Sequence, residues 1–209
     1  METKSKRLSV LSEAEQEALY GLPDFDDGQQ LDFLSLSEGE LALANTRPDM
    51  AAQVYCIVQI GYFKAKQIFF RFGWDDIEDD AAFVLTRYFQ GEPFERKAIT
   101  DHEYYTQRKL IAELFGFRLW SGEFSPQLAH RSAQIVRRDV TPSFVAAELV
   151  VWLHERNIVR PAHTTLQDVI SEALSAERHR LGDLLERTLD DAGKAALAQL
   201  IVHLSLIHI

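Results

Sequence analysis

The stretch QIGYFKAKQIFFRF, residues 59–72, decides how the middle of this chain is predicted to fold. The apolar run DMAAQVYCIVQI leads into it at a helical spacing, and Gly61 then indicates a turn or kink between two helices. On the second predicted helix Lys64, Gln67 and Arg71 lie at i, i+3 and i+7 and share one face, while phenylalanines anchor the remainder. This arrangement predicts a helix-turn-helix-like segment.

Signals elsewhere along the chain are also helical. Three pairs fit the capping box, in which a hydroxyl and a carboxylate satisfy the first amides of a helix: Ser12 with Glu15, Ser37 with Glu40, and Thr100 with Glu103. Further helices are expected at Asp75–Phe89, Ser125–Asp139, Pro142–Glu155 and Thr165–Leu189, and from near Asp191. The predicted fold class is therefore all-α, with tandem small helical modules and a long C-terminal helix.

The predicted modules follow the connectors and the charge of the chain. An N-terminal helical module covers residues 1–93 and contains the helix-turn-helix-like segment, a second module covers 94–162, and 163–203 begin a following helical region. Residues 204–209, LSLIHI, break the amphipathic rhythm and are expected to be a non-native tail, which implies a truncated chain.

Composition excludes several classes of function. The 209 residues carry a net charge of −10, so the protein as a whole does not have the basic character of a nucleic-acid binder. Residues 96–160 form the only net-positive section, with ten basic and seven acidic side chains. The single cysteine, Cys56, rules out a disulfide framework within one chain and is expected to be buried and inert. Without a membrane-length apolar run or a secretory signal, the predicted location is cytoplasmic, with no membrane partner.

Catalytic and metal-binding motifs do not emerge from the sequence. The acidic run at residues 75–80 lacks the spacing of a calcium loop, and carboxylates at a helix start favourably oppose the helix dipole. Neither His102-Glu103 nor His154-Glu155 continues into a zinc motif, and no nucleophile elbow or phosphate-binding glycine loop is present. We expect no catalytic residue, metal, cofactor or small-molecule substrate in this chain.

Basic and polar side chains on helical faces are the remaining candidates, and they are typical of DNA contacts. Arg131, Gln134 and Arg138 repeat the i, i+3, i+7 spacing on a second predicted helix. At the start of the long helix, threonines could bond a phosphate, although N-capping is the favoured interpretation. A solvated face on an aromatic-packed helix remains an alternative for the first set. The candidate DNA-binding residues are Lys64, Lys66, Gln67, Arg71, Lys97, Arg108, Lys109, Arg131, Gln134, Arg137, Arg138, Thr164 and Thr165.

Three passages resemble the N-terminal region of the transposases of the Tn-three family, the replicative bacterial transposons that include gamma-delta. They are RLSVLSEAEQEALYGLP (7–23), VYCIVQIGYFKAKQIFF (54–70) and IVRPAHTTLQDVISEALSAERHRL (158–181). The resemblance implies a double-stranded DNA partner, the terminal inverted repeats of the transposon, and motif positions at Lys64 and Lys66.

The same resemblance places the catalytic core of such a transposase downstream, in an RNase H-like domain that holds divalent metal such as Mg²⁺ through two aspartates and a glutamate. This chain is therefore expected to bind DNA and not to be an enzyme, and the full-length protein could be a homodimer. The alternative is a helical protein-interaction or dimerisation module of the same transposase.

Overall fold

The fold is all-α, as the sequence predicts. The computed structural model describes residues 10–207, with side chains described through residue 200. Within this part of the chain there is no strand, and one isolated bridge joins Arg118 to Ile158. The helices are α1 (Glu13–Tyr20), α2 (Asp27–Leu34), α3 (Glu38–Asn45), α4 (Met50–Lys66), α5 (Glu78–Tyr88), α6 (Asp101–Leu114), α7 (Ser125–Val136), α8 (Pro142–Glu155), α9 (His163–Thr188) and α10 (Asp191–Ile207), with short 3-10 turns at Asp75–Ile77 and Gly122–Phe124.

Local capping chemistry sets several helix starts. The predicted capping boxes at Ser12 and Ser37 are both present, so these two predictions are confirmed. Thr100 caps α6 by accepting a hydrogen bond from the Glu103 amide at 3.2 Å. Asp26 forms a third capping box, with Gln29, at the start of α2, a helix that the sequence analysis did not predict. Short polar side chains at these positions satisfy amides that have no partner within the helix.

Helix α4 lies at the centre of the first half of the molecule. It contacts α2, α3, α5 and α6, and its residues from Ala51 to Phe63 are buried with the exception of Gln53. A helix that is apolar around its whole circumference requires cover on every side, and these four helices provide it. Cys56 is fully buried here, and burial raises the pKa of its thiol to about 12, which agrees with an inert thiol.

The predicted turn at Gly61 is wrong, because α4 runs through this residue without interruption to Lys66. The glycine instead allows α2 to approach α4 closely. A Cβ atom at this position would lie closer than 3.0 Å to Leu34 Cδ2 and 3.3 Å from the Phe33 carbonyl oxygen. A residue without a side chain therefore lets α2 pack directly against the α4 backbone.

The predicted second helix, YFKAKQIFFRF, is also wrong beyond Lys66. Gln67 ends α4 in the left-handed conformation, with φ 54° and ψ 33°, and the following residues are not helical. Ile68, Phe70 and Phe72 are buried, whereas Phe69 is half-buried and Arg71 is exposed. This alternation is the period of an extended chain. The Gln59 amide on α4 donates to the Phe70 carbonyl and helps to hold the segment against the helix.

Buried side chains form two cores. The first core is built from α2 to α6 and the extended segment, and includes Tyr104 and Ile111. The second core is built from α7, α8 and the start of α9, and it also takes in Val10 and Leu11. The predicted module limits at residues 93 and 162 remain predictions; the first core draws on residues from both sides of the limit at 93, and the second core on residues from both sides of both limits.

The two cores meet along two short backbone segments. Arg118 donates its amide to the Asn157 carbonyl at 2.7 Å, and its own carbonyl accepts from the Val159 amide at 2.9 Å. His154 Nδ1 lies 3.0 Å from Gln67 Oε1, so the end of α8 also contacts the end of α4. These contacts tie the extended segment of the first core to the second core.

Helix α9 starts in the second core and then leaves it. Leu166 and Ile170 are fully buried, but Leu181, Leu184 and Leu185 are each at least 40% exposed. The predicted tail at 204–209 falls partly within α10, where side chains beyond residue 200 are outside the described set, and residues 208 and 209 lie outside the described residues altogether.

Candidate nucleic-acid interface

The exposed face of α7 is the clearest basic surface in the second half of the described structure. Helix α7 and the two residues after it, SPQLAHRSAQIVRR, contain no Asp or Glu, although the protein carries a net charge of −10. Leu128, Ser132, Ile135 and Val136 turn inward, because α7 packs against α8 on one side and α9 on the other. The polar and basic residues of this segment that are exposed to solvent are Gln127, His130, Gln134, Arg137 and Arg138.

A shallow groove of about 490 Å³ runs between α7 and α8. Its lining includes Arg156, whose guanidinium carbon lies 4.3 Å from the centroid of the buried Trp152 ring, so the arginine is held in place by a cation–π contact. Among the described residues, no carboxylate lines the groove. We call this surface the α7–α8 groove; its lining residues are Pro126, Gln127, His130, Arg131, Gln134, Trp152 and Arg156.

Two carboxylates of α8 lie close to the arginines of the groove. Arg131 Nη2 is 3.5 Å from Glu148 Oε2, and Arg156 Nη1 is 3.9 Å from Glu155 Oε2. Both distances exceed those of a strong charge-assisted hydrogen bond. Each carboxylate therefore orients its arginine, and much of the positive charge of the guanidinium remains available to a ligand. The Arg131 Nε atom is buried without a hydrogen-bond partner among the described residues.

Inside the groove, two polar side chains contact each other directly. Gln134 Nε2 lies 2.9 Å from His130 Nε2, one helical turn away on the same face of α7. An amide NH₂ group only donates hydrogen bonds, so the ring nitrogen accepts in this arrangement. The second amide hydrogen and the amide oxygen of Gln134 are then available to a ligand.

Arg137 and Arg138 extend the basic face beyond the end of α7. Both are exposed, and neither forms an ion pair with a described side chain. A hydrogen bond from Arg180, which holds Glu177 on α9 with two nitrogens at 2.8 and 2.6 Å, lowers the pKa of Glu177, and charge attraction from Arg137 lowers it further. The structure thus brings Arg131 and Gln134 together in the lining of the groove, whereas Arg137 and Arg138 follow the end of α7 at Val136, so the common face predicted for Arg131, Gln134 and Arg138 stays a prediction for Arg138.

Lys64 and Lys66, in contrast, are occupied by contacts within the protein. Lys64 Nζ donates to the Ser35 carbonyl at 3.2 Å and lies 3.7 Å from Glu40. Lys66 Nζ donates to the carbonyls of Glu17 and Gly21, at 3.2 and 2.8 Å, where α1 ends. Burial lowers the pKa of Lys66. Both lysines therefore hold neighbouring helix ends in place, and their assignment to DNA remains a prediction.

Gln67 and Arg71 do not share a helical face with Lys64, because the helix has ended at Lys66. Gln67 is half-buried and contacts His154 on α8. Arg71 is exposed, lies 2.7 Å from Asp101, and places its guanidinium 4.7 Å from the Tyr104 ring centroid. The structure thus contradicts the common face that the sequence analysis derived for these residues.

A cluster of arginines and aromatic rings lies along α6. The Arg108 guanidinium is 5.4, 5.5 and 5.7 Å from the ring centroids of Phe69, Tyr104 and Tyr105. Tyr105 is 57% exposed. Lys109, one position further, is exposed and 3.9 Å from Glu113.

Lys97 lies on the loop before α6. It is exposed and 3.7 and 3.9 Å from Glu95 and Asp49. Lys97, Arg108 and Lys109 are the three DNA-binding candidates in this part of the chain. Among the described side chains, Arg108 alone of these three has no carboxylate partner.

The favoured interpretation of Thr164 and Thr165 as N-caps is wrong. Helix α9 already begins at His163, and its N-cap position is Ala162, whose side chain cannot accept a hydrogen bond. Both threonines lie within the first turn, where Thr164 is exposed and Thr165 is half-buried. Their role as phosphate contacts remains a prediction.

The acidic run at residues 75–80 lies at a helix start, as predicted. Asp75 and Glu78 accept hydrogen bonds from Arg96 at 3.2 and 2.8 Å, and Asp76 accepts from the Gly73 amide at 2.7 Å. Within the described residues, no group of three or more His, Cys, Asp or Glu side chains is arranged to hold a metal ion. None of the described helices is long and apolar enough to cross a membrane.

Sequence reasoning did not assign Trp152 and Arg156 to the interface. Their i, i+4 spacing at the end of α8, where Arg156 is the C-cap, is the local signal for the stacked pair, but the pair becomes part of a groove only because α8 packs beside α7.

Comparison with known proteins gives one family match. A family model described as a domain of unknown function, DUF4158, matches residues 10–173. No curated protein and no solved structure matches the chain. The matched region ends inside α9, three residues after Ile170, which is the last buried residue that this helix contributes to the second core.

Proposed function

The chain belongs to the DUF4158 family, and from this premise we propose that it binds double-stranded DNA, recognising transposon terminal inverted repeats as the N-terminal part of a transposase in replicative transposition. Domains of this family are found in Tn-three family transposases, which agrees with the resemblance of the three sequence passages. In this proposal the chain contributes binding, and cleavage with its divalent metal belongs to the catalytic core of the parent enzyme.

The observation that carries the proposal is the carboxylate-free outward face of α7 in a protein of net charge −10. Such a face attracts a polyanion locally although the whole molecule repels one. Arg137 and Arg138 supply phosphate contacts at the end of the helix, and Arg131 and Gln134 present a guanidinium and an amide to base edges. A 12-residue helix is short enough to enter a major groove along its whole length.

Fluorescence anisotropy with an inverted-repeat duplex and a scrambled duplex of the same length tests the proposal. We expect tighter binding to the inverted repeat, and a slope of log affinity against log salt that falls by about one unit for each phosphate contact removed. Arg138→Ala should lower affinity for both duplexes about equally, whereas Gln134→Ala should lower affinity for the inverted repeat alone.

Arg96→Ala is the matched control, because it removes the same charge from a surface where Asp75 and Glu78 already pair with the arginine. This variant should leave the affinity and the salt slope unchanged. Equal affinity for both duplexes would refute sequence-specific recognition. Equal effects of Arg138→Ala and Arg96→Ala would refute the placement of the interface on α7.

A protein-interaction module is the second candidate, and the exposed leucines of α9 favour it. Leu181, Leu184 and Leu185 are 40%, 49% and 44% exposed on a helix that has already left the second core. Multi-angle light scattering should then show a dimer at micromolar concentration, and a Leu181→Ser, Leu184→Ser double variant should be monomeric. A stable dimer that binds neither duplex would favour this function over DNA recognition.

A further inference from the structure

Two exposed arginines stack on aromatic rings near the start of α7. The guanidinium carbon of Arg118 lies 4.8 Å from the centroid of the Phe124 ring, and Phe124 directly precedes the helix. Arg156, at the end of α8, stacks in the same way on Trp152 at 4.3 Å and lines the α7–α8 groove together with Pro126. Both guanidinium groups therefore lie at the end of the groove where α7 begins.

Contacts within the protein hold the two arginines in a defined arrangement. Arg118 Nη2 donates to the Arg156 carbonyl at 3.4 Å, and the Arg118 amide donates to the Asn157 carbonyl at 2.7 Å. A guanidinium that stacks on a ring through one face keeps N–H groups at its edge, where they can bind a phosphate. Because these side chains are already ordered, binding costs less conformational entropy than it does for a freely rotating arginine.

The charge of the pair is only weakly compensated. Arg118 has no carboxylate partner among the described side chains. Arg156 has Glu155 at 3.9 Å, and both of these side chains are exposed, so the ion pair contributes little. Glu123 precedes Phe124 in the chain but forms no ion pair with a described side chain. Two neighbouring guanidinium groups repel each other, and an anion that binds to both relieves this repulsion.

We infer that Arg118 and Arg156 bind a phosphate of the DNA backbone across the major groove from the phosphates that Arg137 and Arg138 contact. The 12 residues of α7 separate the two pairs by about 18 Å. The major groove is about 12 Å wide, so charges at both ends of a helix that lies across it are close to the two strands that border it. The inference rests on the proposed DNA-binding function and adds a second contact, which fixes the orientation of α7 in the groove.

Fluorescence anisotropy over a series of salt concentrations tests the charge of the pair, with the inverted-repeat duplex and the scrambled duplex. In an Arg118→Ala, Arg156→Ala double variant, the slope of log affinity against log salt should fall by about one unit for the phosphate that is lost. The loss should be equal for both duplexes, since a phosphate contact carries no sequence information. An unchanged slope would overturn the inference.

A second double variant separates a charge contact from a structural role of the arginines. Arg118→Lys, Arg156→Lys keeps both positive charges and removes the planar groups that stack on the rings. It should retain the salt slope of the unmodified chain, and circular dichroism should show that both double variants are folded in the binding buffer. If the lysine variant loses as much slope as the alanine variant, the arginines act through the fold alone, and the inference is wrong.

Arg87→Ala is the matched control. Arg87 is also exposed, and its guanidinium carbon lies 5.9 and 5.8 Å from the ring centroids of Phe83 and Tyr88, but it belongs to α5 in the first half of the molecule. The variant should leave both the affinity and the salt slope unchanged. A loss of slope as large as that of the Arg118→Ala, Arg156→Ala variant would show that any stacked surface arginine has this effect, and would overturn the assignment.

Neutral methylphosphonate groups, placed at one backbone position of the duplex at a time, locate the contact. The unmodified chain should bind more weakly at two groups of positions, one on each strand. In the Arg118→Ala, Arg156→Ala variant one group should no longer respond, and in Arg137→Ala, Arg138→Ala the other group should no longer respond. If both variants abolish the response at the same positions, the two pairs share one contact and the inference is refuted.

The outcomes separate this inference from the proposed function. If Arg138→Ala lowers the salt slope and the Arg118→Ala, Arg156→Ala variant does not, the second contact is refuted and DNA recognition by α7 stands. If the unmodified chain binds neither duplex, the proposed function fails and the inference fails with it.

Discussion

Gly61→Ala tests the close packing of α2 against α4. The new Cβ atom would lie closer than 3.0 Å to Leu34 Cδ2, whereas carbon atoms in ordinary contact are about 3.5–4.0 Å apart. Leu34 is fully buried and cannot move into solvent. Overpacking of this depth falls in the upper part of the usual range of about 1–3 kcal/mol.

The gain in helix propensity opposes this effect. Replacing glycine by alanine within a helix stabilises it by about 1 kcal/mol. The free energy of unfolding of Gly61→Ala should therefore be lower by about 1–2 kcal/mol, which lowers the melting temperature by about 2–8 °C for a chain of this size. Urea denaturation followed by circular dichroism measures the first quantity, and a thermal melt measures the second.

Gly182→Ala is the matched control, since a Cβ at this exposed position in α9 meets no atom within 4 Å. It should leave stability unchanged or raise it by up to about 1 kcal/mol. In a Leu34→Ala background, which removes the clashing methyl group, Gly61→Ala should no longer destabilise the protein. If Gly61→Ala costs the same in both backgrounds, the glycine is needed for its backbone conformation, and the reasoning from close approach is refuted.

Three further variants probe single contacts. Asp80 accepts hydrogen bonds from Gln30 and Tyr62, and burial raises its pKa. The contribution of the protonated carboxyl to stability is therefore present below about pH 4 and is lost as the pH rises through the higher pKa of the folded state. Urea denaturation should show that Asp80→Asn gains stability relative to the unmodified chain between about pH 4 and pH 7. Lys66→Ala should lower the free energy of unfolding by about 1–3 kcal/mol, because two carbonyls at the end of α1 lose their donor, and the salt slope of DNA binding should not change. Ser12→Ala should cost about 0.5–2 kcal/mol through loss of the α1 capping box, and an unchanged unfolding midpoint would contradict this role.

Signals that lie within a few residues of each other predicted most of the helices. Ser12 and Ser37 mark helix starts through contacts only three residues away, and Pro142 begins α8 where its missing amide is tolerated. The facing of Arg131 and Gln134 was also predictable, since it depends only on α7 being a helix, whereas Arg138 lies beyond the end of that helix at Val136.

The features that escaped prediction depend on contacts between distant segments. Gly61 is a turn signal in isolation, and only its contact with Leu34 reveals the close approach. The extended segment does carry a local signal, the alternation of Ile68, Phe70 and Phe72, which competes with helical spacing over the same few residues. The carbonyl groups that bind Lys64 and Lys66 belong to residues 29 to 49 positions away, so these contacts could not be inferred from spacing.

The place of Val10 and Leu11 in the second core has a consequence for the order in which the protein folds during synthesis. The residues they pack with lie between Phe124 and Ile170, whereas the first core can begin to assemble once α6 has emerged from the ribosome. At about 5–20 residues per second, the start of the chain is exposed for on the order of ten seconds before its partners exist. The second core is therefore expected to close late, after the first core has begun to form.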